Sequence, residues 1–195
     1  SDLTQAETWT VPDIGSDTLA LLQYTSGSTS SPKGVMIKHS NLLANTRAVL
    51  DALNVAGQPC SSVSWLPQYH DMGLVGPIVL CMYNKGGSYL MSALDFLQKP
   101  VRWLRAISYF EADLGVAPNF AFELCARKIT AEQREGLDLS CWNSAINAAE
   151  PILHSTLVKF AKTFAPCGFN IEQFFCCYGL AEATAFVSGG GPRGM

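Results

Sequence analysis

Short β-type runs alternate with amphipathic helical stretches along almost the whole chain, and this alternation restricts it to a sheet layered with helices. The segments 17–24, 35–38, 62–66, 88–91, 113–116, 144–147 and 172–176 read as strands, each a brief apolar run bounded by turn residues. Between them the apolar residues recur at helical spacing. Leu42, Thr46, Val49, Leu50 and Leu53 share one face, with Ser40 or Asn41 as the cap. Trp103, Leu104, Ile107 and Phe110 follow Pro100, and Phe120, Leu124, Cys125 and Ile129 follow Pro118. Leu153, Leu157, Phe160, Ala161 and Phe164 follow Pro151. Proline suits a first helical turn, where its missing N–H has no intrahelical partner. Neither an internal repeat nor a linker interrupts the pattern. The stretch 188–195, Ser-Gly-Gly-Gly-Pro-Arg-Gly-Met, has little to bury and is expected as a loose tail.

With 195 residues the chain can bury about 70% of its unfolded surface, enough for one sizeable core. Hydrophobic residues make up 48% and charged ones 15%, which argues against disorder. The net charge of −3 and the absence of any basic run disfavour nucleic acid as a partner. The polar start, Ser1 to Glu7, begins neither a signal peptide nor a membrane span, so a cytoplasmic protein is expected. Seven cysteines form no Cys-x-x-Cys pair and mostly sit in apolar runs, which favours reduced thiols over a zinc site.

Three strings carry chemistry. In the first, Thr25, Ser26, Gly27, Ser28 and Thr29 precede Lys33 and Gly34. Hydroxyls and exposed N–H groups can donate several hydrogen bonds to one anion, glycine lets the backbone approach, and the lysine adds a point charge. The order does not fit the Gly-x4-Gly-Lys-Ser/Thr template of nucleotide hydrolases, because Pro32 precedes the lysine and Gly34 follows it. A solvated Ser/Thr turn between two strands is the alternative reading. In the second string, 65–74, His70 and Asp71 stand at a helix entrance bordered by aromatic and apolar residues. Such a pair can orient a carboxylate at the mouth of an apolar pocket, or it can be a satisfied core histidine beside a helix-start acid. In the third, 177–184, Glu182 lies among small and apolar residues, where an ionised carboxylate is costly unless paired or bound to a cation. Magnesium held by one carboxylate and nucleotide phosphates fits, as does an acid capping the helix that begins near Ala181.

The run Thr-Ser-Gly-Ser-Thr followed by Pro-Lys-Gly resembles the signature loop of the adenylate-forming enzymes, with Ser30 where the usual form has glycine. The string 65–74, together with 94–104 and 118–125, resembles the fatty acyl-AMP ligases within that superfamily, and the likeness runs from about Leu19 to Gly190. Several assignments are implied by the resemblance. Thr25, Ser26, Gly27, Ser28, Thr29, Lys33 and Gly34 grip ATP phosphates. Ala149, Glu150, Pro151, Tyr178 and Gly179 form the adenine site, and Glu182 binds Mg2+. His70, as the catalytic residue, meets the acyl carboxylate, with Asn119 and Phe120 also on the acyl side. Relatives commonly have glycine where this chain has Ala148, and often a pair of glycines where it has Val116 and Ala117.

The implied fold is α/β, a layered sheet with flanking helices forming part of the N-terminal domain of an adenylate-forming enzyme. The implied extent is a partial N-terminal AMP-binding domain over 1–187, a flexible tail over 188–195, and no C-terminal domain, so that this piece alone is inactive. The implied reaction joins a fatty acid to ATP, giving acyl-AMP and pyrophosphate, and then passes the acyl group to the phosphopantetheine of an acyl carrier protein. An acyl-CoA ligase of the same superfamily and a non-catalytic module retaining the fold are the alternatives.

Overall fold

The structure is a computed structural model that describes residues 8–25 and 33–191. Ser26, Gly27, Ser28 and Thr29 of the expected phosphate loop therefore lie outside the described residues. A hairpin comes first: β1 (Leu19–Thr25) pairs antiparallel with β2 (Lys33–Lys38), bringing Lys33 opposite Thr25 and Gly34 opposite Tyr24. The chain passes straight from β2 into α1 (His39–Leu53). The cap differs from the expected Ser40 or Asn41. Lys38 is the capping position, and its backbone N–H donates to the Asn41 side chain at 2.9 Å.

The rest winds about a six-stranded sheet. In chain order come β3 (Ser62–Ser64), α2 (Asp71–Leu74), a π-helical turn over Val75–Leu80, α3 (Cys81–Tyr83) and β4 (Ser88–Leu90). They are followed by α4 (Ala93–Gln98), α5 (Val101–Phe110), β5 (Leu114–Ala117), α6 (Asn119–Lys128), α7 (Ala131–Arg134) and β6 (Ser144–Asn147). The last elements are α8 (His154–Phe164), β7 (Phe174–Gly179) and β8 (Phe186–Gly190). Pro100 and Pro118 stand at the capping positions of α5 and α6, just outside the first turn where proline was expected, and Pro151 precedes α8 by three residues. The sheet order is β4-β3-β5-β6-β7-β8, with parallel pairing except for the antiparallel β7–β8 edge. Ser188 to Gly190, expected as loose tail, instead complete β8, because their backbone groups find ladder partners in Cys176, Cys177 and Tyr178.

Strands β5 and β6 are buried along their whole length, as expected of parallel strands covered on both faces. The core beside them is largely aromatic. Trp103, Trp142, Phe122, Phe160 and Phe174 are fully buried, and their rings meet mostly edge to face at centroid distances of 5.1–6.2 Å. Near the site, Trp65 stacks on Phe96 at 4.1 Å with planes 6° apart. Among the described residues no helix is long and apolar enough to cross a membrane.

Candidate active site

The sheet order reverses between β3 and β5: the chain goes from β3 outward to β4, then returns to the other side of β3 and continues through β5, β6 and β7. In open parallel sheets the crevice at the carboxyl ends of strands flanking such a reversal is where ligands bind. The loops that leave those ends carry the residues singled out above. His70 and Asp71 follow β3, Asn119 and Phe120 follow β5, Ala149 to Pro151 follow β6, and Glu182 follows β7.

A cavity of about 850 Å³ opens there. Thr25, His70, Ala149, Tyr178, Gly179 and Glu182 all line it, so residues from four separate segments converge. Its depth is apolar, made by Val75, Leu80, Val116, Ile146 and Phe175, all buried. The cavity thus combines an apolar chamber with a polar mouth. Cys177 also lines it, and burial pushes that thiol up to about 12, which keeps it protonated and inert.

Lys33 and Gly34 reach the region through the hairpin rather than through the cavity lining itself. Glu150, Pro151, Asn119 and Phe120 line a second hollow of about 630 Å³ beside α6 and α8. There the Phe120 N–H donates to Glu150 Oε1 at 2.5 Å, which sets a carboxylate on the first turn of α6. Asn119 is buried and brackets its surroundings. Its Oδ1 accepts from the Leu153 N–H at 3.2 Å and from Asn147 Nδ2 at 3.4 Å, and its Nδ2 donates to Thr156 Oγ1 at 3.3 Å. The segment 147–153 that bears Ala149 is therefore held from beneath. Ala148 is buried without unusual backbone; the left-handed conformation falls one residue later, on Ala149 at φ 71°.

His70 caps α2, and its Nδ1 lies 2.6 Å from Asp71 Oδ1. The Met72 N–H faces both groups, at 2.7 Å from Asp71 Oδ1 and 3.2 Å from His70 Nδ1. The shorter contact takes that proton, which leaves Nδ1–H of the imidazole to donate to Asp71 and Nε2 as the ring's other edge. The hydrogen bond to Asp71 raises the His70 pKa. Burial pushes the Asp71 carboxyl up, but His70 and the Met72 N–H outweigh it and hold the carboxyl below its usual range.

Glu182 sits in a three-residue turn, Ala181–Ala183, and its side chain is exposed at the cavity rather than enclosed by the small apolar neighbours that surround it in sequence. The expected desolvation of this carboxylate is absent. It makes no ion pair among the described residues, so its oxygens are available to a cation. No cluster of three or more His, Cys, Asp or Glu able to hold a metal occurs among the described residues. A cation beside Glu182 would draw most of its ligands from water and substrate oxygens, which is the habit of Mg2+. Gly179 is required by close approach, since a Cβ there would stand 1.9 Å from the Ala185 carbonyl oxygen.

A sequence profile described as AMP-binding enzyme matches residues 2–194. The chain belongs to the AMP-binding enzyme family. JamA of Moorena producens, named a medium-chain-fatty-acid acyl-carrier-protein ligase, is 45% identical over 183 residues, covering 94% of this chain and 31% of the relative. TtuA of Teredinibacter turnerae, which bears the same description, is 41% identical over 189 residues, covering 94% of this chain and 28% of that one. Among solved structures, a fatty acyl-adenylate ligase from L. pneumophila in complex with acyl adenylate and pyrophosphate superposes with a TM-score of 0.91 at 43% identity. That match covers 98% of this chain and 34% of the other. The chain thus spans about a third of the length of the proteins it resembles. The α/β architecture expected of an adenylate-forming N-terminal domain is the one observed.

Two contacts escaped sequence reasoning. Gln23 of β1 donates through Nε2 to the Tyr69 carbonyl at 3.0 Å, tying the hairpin to the histidine loop. Asn45 of α1 bonds Ala183, the last residue of the Glu182 turn, and Phe186 just beyond it. A signal existed for each: a lone amide in an otherwise apolar strand, and an asparagine on the inward stripe of a helix.

Proposed function

We propose that the intact protein activates a fatty acid as its acyl adenylate and then delivers the acyl group to the phosphopantetheine thiol of an acyl carrier protein, within the cytoplasm. The observation that carries this reading is the single cavity that combines an apolar chamber with the mouth formed by Thr25, His70, Tyr178 and Glu182. The similarity to the acyl-adenylate complex supports the first half of the reaction, and the names of the two ligase relatives support the carrier acceptor.

In the first half-reaction a carboxylate oxygen of the fatty acid attacks the α-phosphorus of ATP, the bond to the β-phosphate oxygen breaks, and pyrophosphate departs with the negative charge. Such a displacement depends on alignment and charge stabilisation more than on covalent help. The exposed ring of Tyr178, with Ala149 and Gly179, forms the adenine wall, while Glu150 and Pro151 continue from Ala149 into the neighbouring hollow. The hairpin end, with Thr25, Lys33 and Gly34, holds the phosphates, and the sequence string Ser26, Gly27, Ser28 and Thr29 is assigned the same role. Glu182 holds Mg2+, which supplies charge neutralisation for the phosphates when bound. His70, its Nδ1–H fixed by Asp71 and its pKa raised by that contact, is protonated when it meets the acyl carboxylate, donates Nε2–H to it and orients it toward phosphorus. The buried walls Val75, Val116 and Ile146 take the hydrocarbon, and Asn119 braces the Ala149 segment from beneath. In the second half-reaction the carrier thiol sulfur attacks the acyl carbonyl carbon, its proton leaves to base, and AMP departs.

The test is exchange of labelled pyrophosphate into ATP by the full-length protein. Exchange that depends on a medium-chain fatty acid, with acyl transfer to a phosphopantetheinylated carrier and not to free coenzyme A, is the expected result. Transfer to coenzyme A would assign the acceptor differently, and no fatty-acid-dependent exchange would refute adenylation.

A further inference from the structure

The helix that leaves the phosphate hairpin is hydrogen-bonded to the Glu182 turn through Asn45. Asn45 is half-buried on the inward stripe of α1, beside Leu42, Thr46 and Val49. Its Nδ2 donates to the Ala183 carbonyl at 3.1 Å and to the Phe186 carbonyl at 2.8 Å, while its Oδ1 accepts from the Phe186 N–H at 3.1 Å. Both donors and the acceptor of the amide are thus spent on backbone 138 and 141 residues away.

Between the two gripped residues lies Thr184, with φ 76° and ψ −56°. This backbone conformation is unfavourable for any residue with a Cβ, and Thr184 is β-branched and buried as well. Strained backbone persists only where its surroundings over-determine it, and it gathers at functional sites. The surroundings here are the Thr184 N–H to Ala181 carbonyl bond at 2.9 Å, the Leu180 N–H to Ala185 carbonyl bond at 2.9 Å, and the Asn45 amide. The first two belong to the turn itself and move with it. Asn45 bonds it from another element.

We infer that Asn45 is a positioning residue that holds the strained Thr184 turn so that Glu182 is presented to the magnesium–nucleotide group. The inference rests on the role given to Glu182 above. Because α1 begins where β2 ends, the same rigid helix carries the phosphate hairpin at one end and the clamp on the metal-binding turn two turns later. The two halves of the nucleotide grip are thereby kept at a fixed separation.

The test measures Mg2+-dependent binding of a non-hydrolysable ATP analogue to the full-length protein by calorimetry, with amide hydrogen exchange over residues 180–187 followed in parallel. Asn45→Ala should raise the Mg2+ concentration for half-maximal binding by about tenfold, the loss expected when one or two net hydrogen bonds cease to hold the geometry. Exchange at Ala183 to Phe186 should accelerate. Asn45→Asp is nearly isosteric, keeps the acceptor and loses both donors, so it should shift the Mg2+ requirement likewise even if Asn45→Ala fails to fold. Thr184→Gly introduced with Asn45→Ala should reverse most of that rise, because glycine holds the turn without strain. Faster exchange with an unchanged Mg2+ requirement would overturn the inference alone. An unchanged requirement in Glu182→Gln would overturn the site reading and the inference with it.

Discussion

Gly179 separates the exposed Tyr178 ring from the Glu182 turn, and substitution by alanine tests whether close backbone approach there builds the site. The added Cβ would lie 1.9 Å from the Ala185 carbonyl oxygen and 2.9 Å from its carbon, against 3.4–4 Å for an ordinary contact. The two backbones must part by about 1.5 Å, the difference between 3.4 and 1.9 Å. That movement breaks the Leu180 N–H to Ala185 carbonyl bond of 2.9 Å, where the β7–β8 register already shifts. Overpacking of this kind costs about 1–3 kcal/mol and the lost hydrogen bond about 1 kcal/mol, so Gly179→Ala should destabilise by about 2–4 kcal/mol. Urea unfolding followed by tryptophan fluorescence suits the measurement, since Trp65, Trp103 and Trp142 are buried in the core. Gly190→Ala is the control, in the same β7–β8 pair but with nothing within 4 Å of the added carbon, and should be neutral or slightly stabilising. A Gly179→Ala loss below about 0.5 kcal/mol, or one matched by the control, would refute the argument.

The His70–Asp71 pair gives a pH signature. With the His70 pKa raised, its contribution is complete below the ordinary 6.5 and fades as pH climbs through the higher folded value; with the Asp71 pKa lowered, its contribution is present above 3.8 and fades as acid drives through the lower folded value. The destabilisation caused by His70→Ala should therefore be larger at about pH 6 than at about pH 9, measured by urea unfolding, and equal losses at both would exclude the pair. Ala149, at φ 71°, occupies backbone that glycine adopts freely and β-branched residues resist. Ala149→Gly should leave stability unchanged or raise it by up to about 1 kcal/mol, and Ala149→Val should lower it by about 1–3 kcal/mol. Equal losses in both variants would show that side-chain packing, not backbone, governs the position.

Period and punctuation made the scaffold legible. Strands β5 and β6 are short, wholly apolar or small-residue runs bounded by turns, and α5 displays its buried face as Trp103, Leu104 and Ile107. These patterns are local, so one dimension suffices to read them. The π-helical turn over Val75–Leu80 was not legible, because Pro77 and Gly76 signal interruption without saying that the chain continues as a wider helix. The end of the chain misled for a related reason: Ser188 to Gly190 have little to bury, yet a strand needs only a backbone partner, and β7 supplies one.

The site was legible as residue types and illegible as relations. His70 and Glu182 were found because their immediate neighbours frame them, and both line the cavity of about 850 Å³ where β3, β6 and β7 end. Asn119 was assigned by neighbourhood in sequence to the acyl chain, whereas its three hydrogen bonds join β6, α6 and the approach to α8 beneath the Ala149 segment. Asn45 was not found at all, although its amide bonds the first helix to Ala183 and Phe186 beside Glu182. In both cases a short amide bridges backbone or side chains that lie tens to more than a hundred residues away, and its meaning depends on which strand ends the topology gathers at one edge. A polar residue on an inward helical stripe is the trace such a bridge leaves in sequence, since burial without partners would cost too much to persist. Read that way, the apolar stripe of α1 marks Asn45 as a residue with a distant partner before any partner is known.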